Sequence, residues 1–79
     1  MKIYGYADEG LPIEDVVSRR LAEITLCASP QELRQMAGFL MLCADEMDQL
    51  GPEFGHLHLS DRCKEFEQSP HFVVFPAEA

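Results

Sequence analysis

The chain has 79 residues, of which 47% are hydrophobic, and its 14 acidic and 6 basic residues give a formal charge of -8 at pH 7. A chain of this length buries only about 60% of its unfolded surface, so residues 1–79 are expected to form one domain with one core and little space for a deep catalytic cavity. The negative charge disfavours nucleic acid and anionic membranes as partners and favours basic proteins, although an acidic surface also simply keeps a domain soluble.

The cysteines and the hydrophobic segments indicate the compartment. Cys27, Cys43 and Cys63 are odd in number and lack CxxC spacing, which suggests neither a disulfide framework nor a zinc site. No segment approaches the roughly 20 apolar residues of a membrane span, and the N-terminus has no apolar run of secretory length. We therefore expect a cytoplasmic protein, and no glycine-rich loop or ligand set predicts a cofactor or a metal.

Two strands are predicted before the first helix. Residues Lys2–Tyr6 alternate and are rich in aromatic and β-branched side chains, which is typical of a strand. Ala7–Val17 is an acidic connection interrupted by glycine and proline. Ser18–Ala28 alternates again and predicts the second strand, whose smoother face is expected to lie under the helix. That face consists of Ala22, Ile24, Leu26 and Ala28.

A long amphipathic helix is predicted for Ser29–Gly51. Ser29 as N-cap, Pro30 at the first helical position and Glu32 three residues after the cap form a capping box. Gly51, followed by proline, ends the helix. Apolar residues recur at steps of three and four and so predict one stripe that needs a cover. The stripe consists of Leu33, Met36, Ala37, Leu40, Cys43, Ala44, Met47 and Leu50.

Two more strands are predicted after the helix. Phe54–Ser60 alternates leucine with histidine, as a half-buried strand does. Asp61–Pro70 is polar and predicts a loop or short helical turn that carries Phe66 inward, and His71–Phe75 predicts the last strand. The order β-β-α-β-β indicates an α+β fold: a two-layer sandwich of a mainly antiparallel four-stranded sheet with one long helix on one face. The second face of this sheet stays open.

Histidines mark the open face of the predicted sheet. His56 and His58 project the same way, and Glu23 and Thr25 lie on the polar side of the second strand. Two such imidazoles can chelate a metal or divide the roles of general acid and base, which would make a small metal-binding domain or enzyme. Histidines in such a pair are more often solvated or in contact with a partner than part of a metal or catalytic site. A metal site would also need further ligands, and the sequence does not allow them to be placed.

Carboxylates cluster in the first connection and at the end of the helix. Clustered carboxylates resemble the phosphate spacing of a nucleic acid and can occupy the basic cleft of a nuclease, whereas a solvated charged face is the simpler interpretation. The first cluster is Asp8, Glu9, Glu14 and Asp15, and the second is Asp45, Glu46 and Asp48.

A homodimer contact is suggested by the back of the helix. Gly38 and Leu42 lie one turn apart, away from the predicted apolar stripe. A glycine inside a helix costs about 1 kcal/mol relative to alanine, and an outward leucine has no role in the core. A close helix contact explains both residues, although isolated exposed leucines are common.

The ordered segments MKIYGY, LAEITLCASP, ELRQMAGFLMLCADEM, FGHLHLSD and HFVVF resemble the immunity protein 32 family over roughly Lys2 to Phe75. The resemblance implies a small bacterial protein of a polymorphic toxin system that neutralises a toxin domain by occlusion and is not an enzyme. The partner-binding residues are then expected on the sheet or at the helix end, with a basic toxin domain as the partner. The matching residues are Glu23, Leu33, Phe39, Leu40, His56, His58 and Asp61, and the candidate interface residues are Glu23, Thr25, His56, His58, Asp45, Glu46 and Asp48.

Overall fold

A computed structural model describes residues 1–77, apart from the side chain of Ile13. The chain forms short strands, one long helix and one short helix, with 3-10 turns in three of the connections. In chain order the elements are β1 (Ile3–Gly5), β2 (Arg19–Leu21), α1 (Pro30–Leu50), β3 (Leu57–His58), α2 (Leu59–Arg62) and β4 (Val73–Val74), with 3-10 turns at Ile13–Asp15, Gly51–Phe54 and Lys64–Phe66.

The long helix α1 begins and ends where the sequence predicts. The amide of Glu32 donates to Ser29 Oγ at 3.1 Å, and the amide of Ser29 donates to the Glu32 carboxylate at 2.8 Å, so the capping box is confirmed. At the other end Gly51 has a positive φ of 54°, a conformation that glycine adopts without the steric cost of a Cβ atom. The Gly51 amide donates to the carbonyl of Met47 and terminates the helix.

The core is a small cluster between α1 and the segments that follow it. Phe39 is only 3% exposed, and Phe66 is buried, which confirms the prediction that the Asp61–Pro70 segment carries it inward. Half-buried side chains from β3 and β4, including Leu57 and Val74, close the cluster. Its buried members are Met36, Phe39, Cys43, Phe54, Leu59 and Phe66.

The buried face of α1 differs from the predicted stripe. Met36 and Cys43 are buried as expected, but Leu33 and Leu40 are each 47% exposed, and the buried Phe39 lies outside the predicted stripe. The reason is the position of the cover: Phe54, Leu59 and Phe66 pack on one side of the helix only. The apolar residues beyond that side, which include Ala37 and Ala44, remain at the surface.

The prediction of a single four-stranded sheet is wrong in its strand pairing. Within residues 1–77 the strands form two separate antiparallel pairs, β1 with β2 and β3 with β4. Ile3 pairs with Leu21 in the first sheet, and Leu57 pairs with Val74 in the second. The α+β class and the antiparallel pairing are confirmed, but the long helix does not cover one face of a continuous sheet.

Local interactions at both ends shorten β3. Gly55 turns the chain with a φ of 68° before the strand, and the 3-10 turn that precedes it contains the buried Phe54. After the strand, the amide of His58 donates to Asp61 Oδ2 at 3.3 Å, which stabilises the first turn of α2 at Leu59. The alternating pattern of Phe54–Ser60 therefore produces only a two-residue strand.

The second half of the predicted second strand also differs. Only Arg19–Leu21 pairs with β1, and residues 22–28 have no regular secondary structure. Ile24 and Leu26 are exposed rather than placed under α1. Alternation favours a strand only where a neighbouring strand supplies hydrogen bonds, and within residues 1–77 none pairs with this segment.

Candidate protein-binding surface

Three imidazole rings and one phenyl ring cluster at the surface of the β3–β4 sheet, with His58 half-buried and the other three residues exposed. The rings of His56 and His58 lie edge to face with centroids 5.4 Å apart, and those of His58 and His71 lie edge to face at 5.7 Å. His56 stacks on Phe75 with centroids 4.7 Å apart. We call these four residues, His56, His58, His71 and Phe75, the imidazole patch.

The register of the two strands explains why these rings meet. His58 lies directly opposite Val73, so the alternate positions His71 and Phe75 flank that pair on the same side of the sheet. Leu57 and Val74, one residue along, face the core instead. Sequence reasoning missed His71 and Phe75, although the alternation of the HFVVF segment carries the signal: residues 71, 73 and 75 share one side of a strand.

One carboxylate lies at the edge of the imidazole patch. Asp61 Oδ2 is 3.7 Å from His58 Nδ1 and also accepts the hydrogen bond from the His58 amide. Both side chains are substantially exposed, so water screens their attraction. The carboxylate fixes the backbone of His58 at the start of α2 and leaves the imidazole accessible.

Glu23 and Thr25 are not joined to the histidines in one sheet. Both lie exposed in the irregular segment of residues 22–28. Thr25 nevertheless lines an open groove of about 310 Å³ together with His71, and Glu23 is not part of its lining. Met36, Leu59 and Phe66 contribute apolar surface to this groove, which brings Thr25 to the border of the imidazole patch.

The three carboxylates at the end of α1 have different environments. Asp45 and Asp48 are exposed, whereas Glu46 is half-buried and accepts a 2.9 Å charge-assisted hydrogen bond from Arg62 of α2. Burial raises the pKa of the neighbouring Cys43 thiol, the Glu46 carboxylate adds to the increase, and Arg62 opposes it. Glu46 therefore ties α1 to α2, and only the two aspartates are free to contact a partner.

The predicted dimer residues Gly38 and Leu42 lie one turn apart on α1 and differ in exposure. Gly38 is exposed, with open space where a Cβ atom would lie, while Leu42 is half-buried at the border of the core face. Leucine at this position thus has a partial role in packing, which the sequence pattern did not indicate.

The described residues do not complete a metal-ligand set around the histidines. Within residues 1–77, no group of three or more histidine, cysteine or acidic side chains is arranged to hold a metal ion. The three cysteines are free thiols, with Cys43 buried, Cys63 half-buried and Cys27 exposed. The alternative of a metal-binding domain or enzyme based on His56 and His58 therefore receives no support from a completed ligand set.

Comparison with protein families shows to which family the chain belongs. The sequence model of the family described as immunity protein 32 matches residues 23–75. The chain belongs to the immunity protein 32 family. Neither the curated proteins nor the solved structures compared with the chain include a match.

The match to the immunity protein 32 family includes the core and the imidazole patch but leaves out the first two strands. Residues 23–75 include α1, the core and all four members of the imidazole patch, but not the β1–β2 hairpin. Immunity proteins as a class protect a cell from a toxin, so a protein partner is implied. In the described part of the chain, no helix is long and apolar enough to span a membrane.

Proposed function

We propose that this member of the immunity protein 32 family neutralises a cognate toxin domain by binding it, without catalysis, and that the imidazole patch is the centre of the interface. The observation that carries the proposal is the surface cluster of four rings, three of them exposed, on a strongly acidic protein. The site of action is then the bacterial cytoplasm, where the toxin of a polymorphic toxin system would reach its target.

The chemistry of the patch suits a basic protein partner. Phe75 is 66% exposed and stacks on His56, so it offers an apolar anchor beside hydrogen-bonding imidazoles. Exposed aromatic side chains are enriched at the centres of protein interfaces, and aromatic faces attract arginine and lysine. A net charge of -8 also accelerates the encounter with a basic domain.

The remaining candidate residues are assigned to the rim of this interface. Thr25 borders the patch through the groove that it shares with His71. Glu23 in the same exposed segment, together with Asp45 and Asp48 at the end of α1, would add electrostatic attraction rather than binding energy at the centre. Glu46 is given no direct contact, because its carboxylate already accepts a hydrogen bond from Arg62.

A protection assay with matched variants tests the proposal. The reading frames adjacent to this chain's gene are expressed in bacteria one at a time. Any that stops growth is then expressed together with the wild type, with His56→Ala/His71→Ala, or with the control Gln31→Ala/Gln49→Ala. All four positions are exposed, so none of these changes removes core packing. The proposal predicts that the histidine variant loses protection while the glutamine variant keeps it.

The same assay compares the imidazole patch with the acidic end of α1 as the toxin-binding surface. Asp45→Asn should weaken protection only slightly, since an exposed rim charge mainly affects the rate of association. Full protection by the histidine variant, combined with loss of protection by the aspartate variant, would move the interface from the sheet to the end of α1. Full protection by both variants would contradict a role for either surface.

A further inference from the structure

An apolar stripe on α1 is exposed to solvent in the described part of the chain. Leu33 and Leu40 are each 47% exposed and Met41 is 66% exposed, and the small residues Ala37 and Ala44 lie between and beside them. At 100° per residue these five positions fall within one arc of the helix, adjacent to the buried face around Met36 and Cys43. We call Leu33, Ala37, Leu40, Met41 and Ala44 the helix stripe.

The whole chain exposes more surface than a monomer of its mass should. Its accessible surface is 6788 Å² for 8.9 kDa, whereas monomeric proteins of this mass expose about 4,800 Å². Its radius of gyration of 13.6 Å also exceeds the value of about 11.6 Å for a compact domain of this length. This excess of about 2,000 Å² belongs to the whole chain, since exposed apolar side chains such as Tyr4, Ile24 and Leu26 contribute to it as well as those of the helix stripe.

We propose that a second copy of this chain covers the helix stripe, with the two α1 helices packed antiparallel about a two-fold axis near Met41. Charge complementarity favours this occupant. Arg34 lies beside the stripe near its start, and Asp48 lies beside it near its end. Each is seven residues from Met41, so an antiparallel pair brings Arg34 of one copy opposite Asp48 of the other, twice.

The shape of the stripe fits close helix contact. Ala37 and Ala44 are seven residues apart and alternate with Leu33 and Leu40, so small side chains leave space for the large ones of a second helix. A parallel pair would instead place like charges together at both ends. The arrangement does not depend on the toxin, because exposed apolar stripes favour association whether or not the toxin is present.

Sedimentation equilibrium of the purified full chain without toxin tests the proposal. Across about 1 to 200 μM, a range that resolves micromolar dissociation constants, the mass should approach twice the 8.9 kDa of the chain. Leu40→Glu places a charge from each copy at the centre of the contact and should raise the dissociation constant at least about a hundredfold. Leu11→Glu, at a similarly exposed leucine in the first connection, should not change it.

Charge exchange tests the orientation. Arg34→Glu and Asp48→Arg should each weaken the dimer, and the double variant should restore it. Restoration requires an antiparallel contact, because only that arrangement rebuilds the exchanged pair between copies. Circular dichroism of each variant verifies that α1 is intact.

Three results would overturn the proposal: a monomer at every concentration, a dimer that Leu40→Glu does not weaken, and a double charge variant no tighter than the single ones. A dimer weakened equally by Leu11→Glu and Leu40→Glu would likewise exclude this stripe as the specific contact. None of these outcomes decides whether the imidazole patch binds toxin, so the two proposals fail separately.

Discussion

Phe39 and Leu40 are neighbours on α1 with opposite environments, which makes them a direct test of which helix face holds the core. Phe39 is 3% exposed and Leu40 is 47% exposed. Replacing a buried phenylalanine by alanine costs about 3 to 5 kcal/mol of unfolding free energy. Leu40→Ala removes a half-exposed side chain and should cost about 1 kcal/mol or less.

The expected loss of unfolding free energy decides which variants can be measured. A core in a domain this small rarely supplies more than about 3 to 5 kcal/mol, so Phe39→Ala should unfold most of the protein. The milder Phe39→Leu, at about 1.5 kcal/mol, keeps a measurable transition. Urea unfolding followed by circular dichroism, at a concentration where the chain is monomeric, gives the unfolding free energy of Phe39→Leu and of Leu40→Ala.

The ranking of the variants by stability decides which face of α1 holds the core. The structure predicts that Phe39→Leu lowers the urea midpoint more than Leu40→Ala does, and that Phe39→Ala is mostly unfolded without urea. If Leu40→Ala proved the more destabilising at a monomeric concentration, the apolar stripe read from the sequence would be the true core face. The account of α1 packing, and with it the exposed helix stripe, would then be wrong.

Three further predictions concern local interactions. Ser29→Ala removes the acceptor of the Glu32 amide and should cost about 1 kcal/mol, measured by urea unfolding against Ser60→Ala as control. Arg62→Ala leaves the half-buried Glu46 carboxylate without its hydrogen-bond donor and should lower the thermal midpoint more than Arg20→Ala does at an exposed arginine, with equal midpoints as the contrary result. Burial raises the pKa of the Cys43 thiol in the folded state, so its contribution to stability is complete below the ordinary value of 9.0 and decreases as pH rises above it. The extra alkaline loss of stability should be absent in Cys43→Ala, and a slope unchanged by this substitution would contradict the assignment.

Local signals made α1 predictable. Ser29, Glu32 and Gly51 act within a few residues of the helix ends, so the sequence alone specifies both boundaries. The buried face was less predictable, because the apolar residues of α1 extend around more of the helix than the core covers. Which of Phe39 and Leu40 turns inward depends on where Phe54 and Leu59 pack, and those contacts are not local in sequence.

Strand pairing was the main part of the fold that the sequence did not determine. Alternation marks segments able to form strands, but pairing partners are set by tertiary contacts. Residues 22–28 alternate as clearly as β1 does and still form no strand. The capping of His58 by Asp61 competed with extension of β3, and this local interaction ended the strand early.

The candidate site was predicted in part. His56 and His58 were identified from the sequence and lie side by side at 5.4 Å. His71 and Phe75 were missed because their proximity requires the β3–β4 register, in which His58 faces Val73. Glu23 and Thr25 were grouped with the histidines on the assumption of one sheet, and only Thr25 lies near them, through the groove shared with His71.

Titration calorimetry of the purified toxin domain most directly tests whether the imidazole patch binds it. The account predicts a one-to-one complex for the wild type and at least about tenfold weaker binding for His56→Ala/His71→Ala, with Gln31→Ala/Gln49→Ala unchanged. Equal affinity for all three proteins would contradict the patch as the interface. No binding by the wild type, at concentrations where it protects cells, would contradict neutralisation by direct binding.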